Sequence, residues 1–119
     1  MKDLLHKFVS VLRIELEDLE EDIQDLIDIC QKRKDSKEIT NYVYLENKSL
    51  LVSEISGIKE LLNSISALDT GNFHSIKEMF QEIDRLIQVR TRECSFPEAV
   101  YSLVKRRLDK VVTYIVSSD

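Results

Sequence analysis

A chain of 119 residues, 43% hydrophobic and 33% charged, has room for one domain (1–119) and enough apolar surface for a core without staples. Two Gly and one Pro are too few for the turns of a sandwich or barrel, so an all-α chain is expected. A formal net charge of −5 argues against nucleic acid, whose binding rests on cations neutralising phosphates. No apolar run approaches the roughly 18 residues of a membrane span. His6 and Lys7 interrupt the apolar start, which argues against a signal peptide. With Cys30 and Cys94 standing alone, unbridged thiols and a cytoplasmic location are expected.

Four helices follow in chain order. The first is predicted over 3–33, because Leu5, Val9, Leu12, Leu16, Leu19, Ile23, Leu26 and Cys30 alternate spacings of four and three and describe one seam. Lys32, Arg33 and Lys34 stand where cations complement its C-terminus. Asp35 and Glu38 read as a capping box opening a second helix over 36–68, with Leu51, Ile55, Ile58, Leu62, Ile65 and Leu68 on one face. Tyr42, Val43 and Tyr44 favour strand, and Glu46-Asn47-Lys48-Ser49 breaks the stripe, so this helix is either continuous or broken near Asn47. Gly57 inside it marks a close helix–helix approach. Asp69-Thr70-Gly71-Asn72 is a stop signal with Gly71 as the left-handed residue. The third helix is predicted over 73–93 on Ile76, Phe80, Ile83 and Leu86 or Ile87. Ser95, Pro97 and Glu98 supply an N-cap, a first-turn proline and a capping-box carboxylate for a fourth over 96–116, which buries Val100, Val104, Leu108, Val111 and Ile115.

Short connections make consecutive helices antiparallel neighbours, the up-down-up-down four-helix bundle. The lengths do not match: the first two helices span about 45–50 Å and the last two about 30 Å. Either the second helix breaks or part of the long hairpin protrudes and needs another cover.

Chemistry is sparse. Glu15, Glu17, Asp18, Glu20, Glu21, Asp22, Asp25 and Asp28 form an acidic run without a basic residue. Asp18, Asp22 and Asp25 share a helix face, which resembles the carboxylate spacing of all-α, magnesium-dependent nucleotide pyrophosphohydrolases. Those sites need a second acidic pair from a facing helix, and Glu38, Glu46, Glu54 and Glu60 are not three or four apart. A solvated face, with the basic Lys105, Arg106, Arg107 and Lys110 of the fourth helix as charge partners, is the simpler reading. Neither His6 nor His74 lies three after a glutamate, as ferritin-like di-metal sites require, and the lone cysteines lack zinc-site spacing.

His74-Ser75-Ile76-Lys77 resembles the His-x-Leu-Lys core of histidine-containing phosphotransfer domains, themselves helical bundles. The family motif continues with a glycine and small residues. Here Glu78, Met79 and Phe80 hold those places, and Glu78 repels a phosphoryl group. Phosphotransfer through His74, or metal-dependent phosphate processing on the acidic face, is therefore the alternative function. The leading expectation is a non-enzymatic protein-interaction or regulatory module with no cofactor, metal or small-molecule ligand. Leu4, Val11 and Ile14 lie off the first helix's seam, and Val112 and Val116 lie at the end of the fourth, so these five are the candidate interface for another protein or a second copy.

Overall fold

The computed structural model describes residues 2–118 and, among these, consists of four α-helices and one short 3₁₀ turn, with no strand. The helices are α1 (Lys2–Asp35), α2 (Asn41–Ser66), α3 (Ile76–Glu93) and α4 (Glu98–Ser118), and the turn is Thr70–Asn72. Helix α1 touches all three others. At 1.5 Å per residue it is about 51 Å long, which accounts for the longest dimension of the 54 × 30 × 17 Å molecule.

The core runs along one line of α1: Leu5, Phe8, Leu12, Leu16, Leu19, Ile23 and Ile27 are buried. Leu5, Leu16 and Ile27 stand eleven apart, as do Phe8 and Leu19, and Leu12 and Ile23. That is a period of about 3.67 residues per turn, slightly longer than the 3.6 of a straight helix. The seam predicted from spacings of four and three has the shorter period of 3.5 and drifts off this line. Hence Leu26 is 49% exposed, Val9 and Cys30 are half-buried, and Phe8 and Ile27 take their places. Opposite stand Ile58, Leu61 and Ile65 of α2, Met79, Ile83 and Ile87 of α3, and Val100, Val104, Leu108, Val111 and Ile115 of α4. All five core positions expected on α4 are thus buried. On α3, Ile76, Phe80 and Leu86 pack only at the edge, and Met79 is the missed core residue.

The helix ends depart from the expected boundaries for two local reasons. Helix α1 runs to Asp35 and closes with paired bonds, Glu38 N–H to Arg33 C=O (2.8 Å) and Lys37 N–H to Lys34 C=O (3.0 Å), around Lys37 at φ 62°. This is a Schellman motif with a lysine in the left-handed place usually held by glycine. Asp35 and Glu38 therefore do not open α2. Thr40 does, its hydroxyl accepting from Val43 N–H (3.2 Å). The same device ends α3: Phe96 N–H bonds Thr91 C=O and Ser95 N–H bonds Arg92 C=O around Ser95 at φ 54°. Ser95 is thus the end of α3 and not the N-cap of α4. Gly71 has no positive φ; it sits in the 3₁₀ turn, where the Asp69 carboxylate accepts its N–H (2.9 Å). Helix α3 starts at Ile76 and not Phe73, capped by Ser75 accepting from Glu78 N–H (3.1 Å). Ser75-x-x-Glu78 has the spacing of a capping box.

Helix α2 passes through Asn47 without a break. A Cβ built on Gly57 would stand 3.1 Å from Phe96 Cγ and 3.1 Å from Val100 Cγ2, so α2 and α4 press together there, as its place in a helix interior implied.

Candidate functional site

Two features distinguish the surface: a charged seam between α1 and α4, and an arm formed by the far ends of α1 and α2.

The seam is built around Arg107. Its side chain is 16% exposed and its forked guanidinium meets four acceptors on α1. Nη1 donates to the Glu15 carbonyl (3.2 Å) and to Asp18 Oδ2 (2.8 Å), and Nη2 donates to Asp22 Oδ2 (2.9 Å). Glu15 Oε1 lies 3.5 Å from Nη1 and also meets Lys110 Nζ at 2.8 Å. The hydrogen bond to Asp18 is the largest cause holding the Arg107 proton more tightly than usual; burial opposes it. The central carboxylates of the acidic run therefore hold an arginine of the same chain. Among the described residues no group of three or more His, Cys, Asp or Glu is arranged to hold a metal ion. Lys7 over the Tyr114 ring, 5.5 Å from its centroid, continues the contact toward the start of α1.

A smaller polar cluster joins α3 to α4. Tyr101 donates to Asp84 Oδ1 (3.0 Å), and Lys105 Nζ lies 3.6 Å from the same oxygen and 4.2 Å from the Phe80 ring centre. Burial, ahead of the Asp84 contact, raises the Tyr101 pKa. Between α2 and α3, Arg90 pairs with Glu60.

The arm comprises residues 26–35 of α1 and 41–53 of α2. It projects because α4 begins only at Glu98, whose next turn packs on Gly57 and against Leu26. Ile27 and Tyr44 are buried between its two helices yet lie outside the main core cluster. Lys34 Nζ sits 4.5 Å from the centre of the Tyr44 ring and closes the tip. Ten large hydrophobic side chains are exposed among the described residues, and seven of them are on the arm: Leu26, Ile29, Tyr42, Val43, Leu45, Leu50 and Val52. A two-helix hairpin has one buried seam and two open flanks, so these side chains stay 37% to 72% exposed.

At the foot of the arm Glu54 is 7% exposed and lines a crevice with Leu19, Ile23, Leu26, Ala99, Leu103 and Arg106. It has no hydrogen bond or ion pair among the described residues, and desolvation raises its pKa.

The five residues expected as an interface divide. Ile14 and Val116 are each 62% exposed, whereas Leu4, Val11 and Val112 are half-buried and pack against the core cluster. Val11 also lines a groove with Glu15, Lys110, Val111 and Tyr114. His74 is exposed and precedes the α3 N-cap, outside the helix. Cys30 and Cys94 are both free thiols. The arm was foreshadowed in the sequence only by the mismatch of helix lengths; the exposure of Leu26 and Leu50 had no local signal.

No family model, no curated protein and no solved structure matches the chain. Among the described residues no helix is long and apolar enough to cross a membrane.

Proposed function

We propose that this chain is a non-enzymatic, cytoplasmic protein-binding module: an antiparallel up-down-up-down four-helix body that presents a two-helix arm to a partner. Contacts running in opposite order along three pairs of neighbouring helices support the antiparallel layout. Lys7 meets Tyr114 while Asp22 meets Arg107, Lys34 meets Tyr44 while Glu20 feels the charge of Lys59, and Phe80 meets Lys105 while Asp84 meets Tyr101. The observation that carries the functional reading is the concentration of exposed large hydrophobics on the arm, seven of ten. Exposed apolar surface concentrated on one arm of an otherwise charged molecule costs free energy in water that is recovered when a partner covers it. Ile14, Tyr114 and Val116, the other three exposed large hydrophobics, lie outside the arm.

The test is site-directed photo-crosslinking in extract of the cells that express the protein. A benzophenone side chain at Val43 on the arm is expected to give a discrete protein adduct, a second copy or another chain, that Leu50→Glu abolishes. The same group at exposed Ser102 on α4 is expected to give none. An arm probe no more productive than the Ser102 control refutes the arm as a binding surface. Titration with magnesium and manganese by calorimetry addresses the alternative: saturable binding lost in Asp25→Asn would move the reading to phosphate chemistry.

A further inference from the structure

The groove that α4 fills on the body continues, uncovered, along the arm. Val100 of α4 presses on Gly57, and Leu50 and Val43 lie seven and fourteen residues before Gly57, two and four turns along the same side of α2. On α1, Glu15, Asp18 and Asp22 bond to α4, Leu26 shares the crevice with Ala99 and Leu103, and Ile29 follows one turn beyond Leu26. Leu26, Ile29, Val43 and Leu50 are 49%, 45%, 37% and 50% exposed, and they stand where α4 would lie if it were longer.

Charge is unevenly spread along this face. At the tip, Lys32 and Lys37 are exposed and have no ion-pair partner among the described residues; at the foot the same holds for Asp25 and Glu98 and for one cation, Arg106, which leaves the foot with one unpaired carboxylate in excess. A second arm laid across the first in the opposite direction places each basic tip on the other's acidic foot. A twofold axis generates both contacts at once, because an isologous interface pairs each patch with its own copy. Pairing arms in the same direction would set lysines on lysines.

Resting on the reading of the arm as a binding surface, we propose that its occupant is a second copy of this chain, the two arms crossing antiparallel with Leu26, Ile29, Val43 and Leu50 of each at the centre. The twin arm supplies the two helices that the arm lacks, so that four helices pack where the body has four. The uncovered part of the face is about 20 Å long and two helix diameters, or about 20 Å, wide. Such a face buries roughly 500 Å² per copy, about 1,000 Å² in all, at the lower limit for a specific interface. An interface of that size gives a weak, reversible dimer, with the end charges setting direction more than affinity.

Light scattering coupled to size-exclusion chromatography tests this with three proteins, each first shown by circular dichroism to keep its helix content. Wild type loaded at about 1 mM, high enough to populate a weak dimer, is expected at twice the 13.9 kDa chain mass. A tip variant (Lys32→Glu with Lys37→Glu) and a foot variant (Asp25→Lys with Glu98→Lys) are each expected to elute as monomers. In the tip variant both ends are acidic, and in the foot variant both are basic. Mixed in equal amounts, the two are expected to restore the double mass, because every tip then meets a foot of opposite sign. Wild type that stays monomeric at that loading, or variants that remain monomeric when mixed, overturns the antiparallel self-pairing. If wild type is monomeric but the Val43 probe still captures a different protein, the arm remains a binding surface and only the second copy is removed. If the Val43 probe captures nothing, both readings fall.

Discussion

Replacing Arg107 by methionine tests the α1–α4 seam. Methionine keeps much of the aliphatic stem and removes the fork, so packing against the core is largely retained. Two of the lost contacts go to Asp18 and Asp22, whose side chains are 54% and 57% exposed, and solvent limits each to about 0.5 kcal/mol. The other two go to the Glu15 carbonyl and carboxylate; the Glu15 side chain is 18% exposed and keeps Lys110 as a partner at 2.8 Å. A partly buried, charge-assisted pair of this kind contributes about 1–1.5 kcal/mol. The sum is a loss of about 2 kcal/mol, which for a chain of this size lowers Tm by about 8 °C. Thermal denaturation by circular dichroism at low salt measures it, with Arg106→Met as the control, because Arg106 is exposed and has no ion pair among the described residues. The control is expected to stay within about 0.5 kcal/mol of wild type. Equal effects at 106 and 107, or a loss at 107 below that limit, would refute the claim that the fork ties α4 to α1.

Three further substitutions probe the chain elsewhere. Glu54→Gln is expected to stabilise the protein by about 0.5 kcal/mol at neutral pH, because it removes a partly desolvated carboxylate that has no protein partner. Desolvation raises the folded-state pKa of Glu54 above its ordinary 4.5, so the folded form binds its proton more tightly and wild-type stability falls as pH rises between the two values. The advantage of glutamine is therefore complete above the folded-state pKa and disappears below the ordinary one; a gain that persists unchanged to about pH 3, below an ordinary carboxyl, would count against it. Lys37→Gly is expected to add about 1 kcal/mol by relieving a left-handed lysine at φ 62°, and an unchanged or lower denaturation midpoint would show that the end of α1 is not held in that conformation. Gly57→Leu is expected to lose about 2 kcal/mol or more, since even its Cβ would meet Val100 and Phe96 at 3.1 Å. A rise in Tm from the better helix former would mean that α2 and α4 are not pressed together there.

How much of this was legible in the residues differs from element to element. The four helices and the whole buried stripe of α4 follow from apolar spacing, which is a property of the backbone's own period and needs no knowledge of neighbours. The boundaries near Lys37 and Ser95 did not follow, because each is a left-handed helix end on a residue that seldom takes that conformation, and the nearby capping signals at Asp35 and Ser95 pointed the other way. Ser75 with Glu78 was readable as a capping box, but Gly71 and Phe73 drew the start of α3 forward.

By itself the sequence determined an all-helical chain, the rarity of strand and turn chemistry, an acidic run over residues 15–28 of α1 and a basic cluster over residues 105–110 of α4. It could not determine which carboxylates those cations meet, because Arg107 and its partners are 85 to 92 residues apart and no local period links them. Nor could it place Leu26 outside and Ile27 inside: that choice depends on whether α1 supercoils around its neighbours, and the period of about 3.67 residues belongs to the packed assembly. The uncovered arm arises the same way. Its side chains are as apolar as those of the core, and they are exposed only because α4 begins at Glu98, level with the middle of α2, and leaves the rest of the α1–α2 groove open.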